Sequence, residues 1–331
     1  MEIRDGALAL ATLPVPLPAA YDVLIKVAYA GVNRADLLQV SGNYAAPEGV
    51  SPLPGLEVSG HIAALGENTW DFSIGDPVCA LLDGGGYAQY ATAPAGQVVP
   101  LPSGITLKEA ATLPEAMATS TMALTNAGRL SPGERVLIHG ASSGVGLIMA
   151  QAAKCWHAQE VFGIVGSDEK AELLREYGIT PINHRTAPFA EQVMAATNNE
   201  GVDLIVDTLG GPMVETHLRL LRKGGRLVTL AMLEGSALQA GFKITRLVMN
   251  NLSWTGVTLR DKPATEKAGF LTQWNNRNNH IWPDVENRNI RPHIDSVFPL
   301  VDAKKALNRM HERLHMGKIL LEVAPAPEGA G

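Results

Sequence analysis

Apolar residues are spaced in two different ways along this chain. Up to about residue 113 they come in short β-branched runs cut by Gly and Pro, as at residues 23–28 (Val-Leu-Ile-Lys-Val-Ala), 60–65 and 77–82. Many short strands with turn signals and little helical periodicity predict an irregular β-rich domain. From Lys108 the texture changes: residues 107–129 have helical spacing, ended by Leu130-Ser-Pro-Gly133. Strand and helix patterns then alternate, with strands at 136–139, 161–165, 204–207 and 225–230 and helices at 145–156, 169–177 and 214–221. That alternation predicts an α/β fold with a parallel, doubly wound sheet. Residues 261–294 are Asn-rich and irregular (Trp274-Asn-Asn-Arg-Asn-Asn-His280) and read as a surface loop around one helix. Residues 303–316 regain helical spacing, 318–323 resemble a closing strand, and the small, Pro-rich tail 324–331 is expected to be disordered. No internal repeat is visible. The predicted plan is a nucleotide domain, residues 114–260, inserted into a β-rich domain of residues 1–113 and 261–331.

Composition narrows the function classes. A chain of 331 residues suggests two cores, and 46% hydrophobic with 18% charged residues is the balance of a soluble globular protein. A net charge of −6 without any basic run argues against nucleic acid and membrane surfaces as partners. Two cysteines, Cys79 and Cys155, are too few for a disulfide framework or a four-thiolate zinc lobe. No signal pattern opens the chain and no apolar run approaches bilayer length, so a cytoplasmic setting is expected.

The chemistry is densest between Arg135 and Arg185. An apolar strand runs into Gly140-Ala-Ser-Ser-Gly-Val-Gly146, which opens an apolar helix, and a second strand ends at Val165. Small residues at such a turn let the backbone approach a pyrophosphate, whose charge sits on the helix N-terminus. Ser142, Ser143, Gly144, Val145 and Gly146 are the candidates for that contact, with the two serines able to donate hydroxyls. The strict Gly-x-Gly-x-x-Gly rule is not met, since Ala141 and Ser143 stand at the first two glycine positions. No Asp or Glu ends the second strand to take the ribose hydroxyls. Val165-Gly-Ser167 stands there, with Lys170 and Arg185 as candidates for a 2′-phosphate and His184 for stacking on adenine. These residues predict NADP(H). Thr208, Leu209 and Gly210, after an apolar strand, are expected to line the cofactor groove, because ligands bind at the carboxyl ends of parallel strands.

Further motifs carry a resemblance. Gly31-Val-Asn-Arg-Ala-Asp-Leu-Leu-Gln39, Gly42-Asn-Tyr44, Pro54-Gly-Leu-Glu-Val-Ser-Gly60, Leu113-Pro-Glu-Ala116, Gly140–Gly146 and Gly317-Lys-Ile319 look like the quinone oxidoreductase branch of the medium-chain dehydrogenase/reductase superfamily. The match is collinear over nearly the whole chain and weakest over 261–294. It implies a groES-like catalytic domain, a Rossmann domain, NADPH as cofactor and a homodimer or homotetramer. Zinc alcohol dehydrogenases of the superfamily place Cys, His and Cys where this chain has Asn33, Leu56 and, approximately, Glu115. Leucine is no zinc ligand, so no metal is expected. Without a Lewis acid, the substrate must accept hydride into its own π-system, as a quinone or enone does.

The resemblance implies catalytic or substrate roles for Asn33, Tyr44 and Thr119. It implies cofactor contacts for Thr258, Leu259 and Arg260, with Arg260 and, more weakly, Lys318 reaching a phosphate. One departure is Val40, where many relatives carry Arg, which makes the substrate mouth less basic. The expected activity is an NADPH:quinone oxidoreductase-like hydride transfer. An enoyl-thioester reductase of the same fold and a non-catalytic NADPH-binding protein are the alternatives. His61 and His139, in apolar strands, read as structural histidines.

Overall fold

The computed structural model describes residues 1–101, 103–275 and 281–323. The tail from residue 324, expected to be disordered, lies outside the described residues. The chain divides into two compact units, Met1–Ala118 with Arg260–Gly331, and Thr119–Leu259. The first division falls inside the helix Pro114–Ser120, whose first residue is at the expected boundary. In chain order the strands are β1 Glu2–Arg4, β2 Ala7–Ala9, β3 Asp22–Val32, β4 Glu57–Leu65, β5 Pro77–Leu81, β6 Tyr90–Pro94, β7 Val98–Pro100, β8 Arg135–His139, β9 Glu160–Val165, β10 Thr180–Asn183, β11 Val202–Asp207, β12 Leu221–Thr229, β13 Ser253–Gly256, β14 Ile294–Pro299 and β15 Lys318–Glu322.

In the first unit a seven-stranded sheet has β14-β15-β3-β4-β5-β7 as its path, with β6 beside β3. Most neighbours pair antiparallel, as β3 does with β4, β6 and β15. Strand β3 is the spine, and its interior residues Val23, Ile25, Val27, Ala30 and Val32 enter one apolar cluster with Val58, Ile62, Val78, Ile319 and Leu321. The helix Ala303–His311 closes that cluster with Ala303, Ala306, Leu307 and Met310 at helical spacing.

The segment 261–294 departs from the expected loop around one helix. It carries two helices, Ala264–Asn275 and Ile281–Glu286, and buries Phe270, Leu271, Trp274, Trp282 and Val285. The asparagines hide the apolar spacing: residues 270, 271 and 274 fall at i, i+1 and i+4, one helical face.

In the second unit six strands lie in the order β10-β9-β8-β11-β12-β13, and each neighbouring pair is parallel. The chain begins at β8, builds outward through β9 and β10, then returns to the other side with β11. The order therefore reverses between β8 and β11, where such a sheet opens a crevice at its carboxyl edge. Expected helix 107–129 is broken into a turn at Leu107–Ala110, the helix Pro114–Ser120 and a π-helical stretch Thr121–Ala127. The π stretch ends under Arg226, whose Nε donates to Gly128 O (2.7 Å) while Nη1 bonds Glu134 (2.8 Å). Among the described residues no helix is long and apolar enough to cross a membrane.

Candidate active site

In the first unit the candidate residues gather around a carboxylate. Asn33 is the N-cap of the helix Arg34–Val40, immediately after β3. Glu57 opens β4, Lys318 opens β15, and both strands flank β3, so the sheet brings the three together. The Asn33 Nδ2 donates to Glu57 Oε1 (2.8 Å), Lys318 Nζ donates to Asn33 Oδ1 (2.7 Å), and Lys318 Nζ meets Glu57 Oε1 at 2.5 Å. Glu57 Oε2 accepts the backbone N–H of Glu115 (3.0 Å). The Glu57 side chain has no exposed surface and that of Lys318 only 4%. Gly31, on β3, is the residue that leaves room: a Cβ there would collide with the Glu57 carboxylate.

A second buried acid stands behind this set. Asp36 accepts from the N–H of Asn33 (2.8 Å), the N–H of Gly55 (3.0 Å) and the hydroxyl of Tyr87 (3.0 Å). Burial pushes its carboxyl up to about 6, although those three donors pull it back. It therefore stays ionised near neutrality. Half-buried Glu115 is pushed up to about 8 by burial and by the charge of Glu57, with Lys318 opposing. The partner of Lys318 Nζ in this group is Glu57.

Lys318, expected to reach a cofactor phosphate, is held inside this unit by a buried carboxylate and an amide. Arg260 is held in a similar way. Its Nε and Nη2 donate to Asp83 O (3.0 and 2.8 Å), and its guanidinium lies 5.4 Å over the ring of Tyr44. Lys267 closes the group, paired with the Asp83 carboxylate and donating to Arg260 O (2.6 Å). Only Nη1 of Arg260 is left without a partner, and it is buried. Leu56, at the position of the family's zinc-binding His, is 2% exposed.

In the second unit the expected cofactor residues lie at the carboxyl ends of the strands. Past β8, Gly140 takes φ +63°, and Ser143 caps the helix Gly144–Cys155, accepting from Gly146 N–H (3.1 Å). The first-turn N–H groups of Gly144 and Val145 have no acceptor within the helix, which is the arrangement that holds an anion. A side chain at residue 146 would meet Gly140 O and Ala141 Cα, so the third glycine of the turn is required by helix–strand contact. Past β9, Ser167 caps the helix Asp168–Glu176 through Lys170 N–H (3.3 Å). Asn183 ends β10 opposite Val165, which puts His184 and Arg185 beside Gly166 and Ser167. Past β11 come Thr208, Leu209 and Gly210, and past β13 come Thr258 and Leu259. The turn, with its small residues and free N–H groups, fits a dinucleotide.

Thr119 lies in this second unit, 8% exposed, where the helix Pro114–Ser120 passes into the π stretch. Glu57, Asp36, Asp83 and Lys267 were not foreseen. A signal existed for Glu57, an acid at the start of an apolar run next to Gly-Leu, and for Lys267 none stands out.

The first unit matches the model of the alcohol dehydrogenase GroES-like domain over residues 19–103, and residues 144–273 match the model described as zinc-binding dehydrogenase. The quinone oxidoreductase of Rattus norvegicus is 31% identical over 310 residues, covering 93% of this chain and 91% of that protein. The chain belongs to the medium-chain dehydrogenase/reductase superfamily, in its quinone oxidoreductase branch. Another member, the human synaptic vesicle membrane protein VAT-1 homolog, is 31% identical over 326 residues, 95% of this chain and 81% of that protein. Among solved structures, mycobacterial Rv1454c complexed with NADPH superposes with a TM-score of 0.82 at 25% identity, covering 95% of each chain. CurK enoyl reductase does so at 0.78 and 29%, over 95% of this chain and 94% of that one. As a member of this branch the protein is an oxidoreductase that takes a nicotinamide cofactor.

The buried pair makes a prediction. Removing one partner strands a charge, at a cost of about 3–5 kcal/mol, or roughly 10 °C in a unit of this size. Lys318→Met is expected to lower the melting temperature by that amount in calorimetry, and Glu57→Gln combined with Lys318→Met to recover more than half. A single variant that melts with the wild type contradicts the assignment.

Proposed function

We propose that this protein is an NADPH-dependent, metal-independent reductase that transfers hydride to a quinone or an α,β-unsaturated carbonyl. The observation that carries the reading is the closed set of Asn33, Glu57 and Lys318. Zinc relatives need three N, S or O ligands and an open position in this region. Here the Asn33 amide is spent on a carboxylate and an ammonium, and Leu56 offers hydrocarbon. An isolated carbonyl would have no Lewis acid at that place, so the acceptor must spread the incoming charge through its own conjugation. The nicotinamide supplies the hydride when bound. The residues of this chain orient the two rings and exclude water, which accounts for most of the expected rate gain. Tyr44 is assigned to the acceptor, as a hydrogen-bond donor to its oxygen or a cover for its ring, and the proton comes from that phenol or from solvent.

The proposed preference for NADPH over NADH rests on two cations that follow neighbouring strands, Lys170 in the first turn of the helix after β9 and Arg185 two residues after β10. Asp168, in that same first turn, accepts a hydrogen bond from Asn183 at Oδ1 (2.7 Å). A second reading, reduction of an enoyl thioester, is favoured by the likeness to CurK enoyl reductase.

Two assays test these statements. Purified protein is expected to oxidise NADPH with members of a panel of quinones and enones, faster than with a crotonyl-type thioester. A faster thioester selects the second reading, and cofactor binding without turnover on any acceptor overturns both. For the cofactor, each well-bonded charged contact is worth about 1.5–3 kcal/mol. Lys170→Ala with Arg185→Ala is therefore expected to weaken NADPH by at least tenfold in a fluorescence titration while NADH changes by less than about twofold. An unchanged preference rejects the phosphate assignment.

A further inference from the structure

Three buried polar side chains of the second unit have no part in the chemistry above. His139 ends β8, Asp207 ends β11, and His217 lies in the helix Val214–Leu220 that follows. Their exposures are 3%, 0% and 0%. The two imidazoles meet Nε2 to Nε2 at 2.8 Å, with Phe189 edge-on to His139 at 5.4 Å between ring centres. His217 Nδ1 is 3.8 Å from Asp207 Oδ1 and has no hydrogen-bond partner.

The set has the residue types of a metal site, and one ligand atom from each residue lies within 4.8 Å of the others. Its atoms are nevertheless bonded among themselves: the two Nε2 atoms are at hydrogen-bond distance, Asp207 faces the other side of the His217 ring, and both Asp207 oxygens already accept hydrogen bonds. The arrangement is that of a polar relay. Burial holds both rings neutral: His217 is pushed down to about 4 and His139 well below its usual range. A hydrogen bond between two neutral imidazoles needs one N–H and one lone pair. The Asp207 carboxylate decides which ring gives which. It attracts an N–H at His217 Nδ1 and repels a lone pair there, so His217 accepts at Nε2 and His139 donates. This tautomer follows from the charges around it.

Asp207 is the carboxyl that faces the relay across 3.8 Å, and Asp207 holds a loop. Its oxygens accept the N–H groups of Leu209 (2.8 Å) and Gly210 (3.1 Å) and the hydroxyl of Thr229 (3.3 Å). Gly210 takes φ +92°, and a Cβ there would run into Gly235 O and Met232. The loop past β12 grips the same residues: Leu233 N–H bonds Thr208 O (3.0 Å), Glu234 N–H bonds Leu209 O (2.9 Å), and Gly211 N–H bonds Gly235 O (3.0 Å). Two loops at the carboxyl edge are thus pinned at one carboxylate. We propose that His217, backed by His139, is a positioning residue that orients Asp207 and so sets the Thr208–Gly210 loop for the cofactor. The cofactor half of this statement rests on the NADPH reading above.

The test combines two readouts. In His217→Leu, the Leu209 and Gly210 amides are expected to exchange hydrogen at least about tenfold faster, the value of roughly one hydrogen bond. The change is confined to residues 207–211 and 230–235, and His217→Gln, which keeps a donor and an acceptor, restores most of the protection. The dissociation constant for NADPH is expected to rise about tenfold in His217→Leu, with kcat within about twofold of wild type. If that variant does not fold, His139→Gln reads the same relay from its other end. Unchanged exchange at Leu209 and Gly210, or exchange raised evenly over the whole unit, overturns the inference. A wild type that fails to bind NADPH at all overturns the cofactor reading instead and leaves the exchange result to decide the relay.

Discussion

Glu57 is an acid with no exposed surface, paired with Lys318, and the protein has to satisfy it from inside. Burying such a group unaided costs several kcal/mol, so each neighbour of Glu57 is accounted for by that need. Asn33 and the Glu115 amide donate to it, Lys318 neutralises it, and Gly31 gives it room. Strand β15 returns to the sheet at the place where its first residue meets this acid. The proposed reading of the protein as a metal-independent reductase is supported by this group, in which the polar side chains are bonded to one another.

The second unit is organised differently. Six parallel strands end on one edge, where the turn before Gly144 opens a helix. Behind that edge, polar side chains fix the backbone: Ser143 and Ser167 as helix caps and Asp207 as the pin of a loop. The proposed role of the histidine relay extends this logic one layer deeper. The loops that would meet the ligand are kept in shape by groups the ligand never touches.

Much of this was legible along the chain where the determinants are local. The strand, small-residue turn and helix at 135–155 lie within one short segment, and so does the missing acid after Val165. The alternation from residue 136 onward was enough to predict a parallel sheet, because helical and strand periods differ. What was not legible is long-range. Lys318 is bonded to a residue 285 positions away and Arg260 to one 177 away, and nothing near either cation in the sequence announces its partner. The helices within 261–294 were obscured by Asn-rich composition, although their apolar residues keep helical spacing. The His139–His217 contact joins a strand to a helix 78 residues on, and nothing local announces it.

Metal dependence tests the central claim most directly. The purified protein would be dialysed against a strong chelator, its metal content measured by mass spectrometry, and its turnover of NADPH with a quinone or enone compared before and after. The account predicts the same turnover at far less than one metal ion per chain. Turnover that falls with the metal content and returns when zinc is added would contradict it.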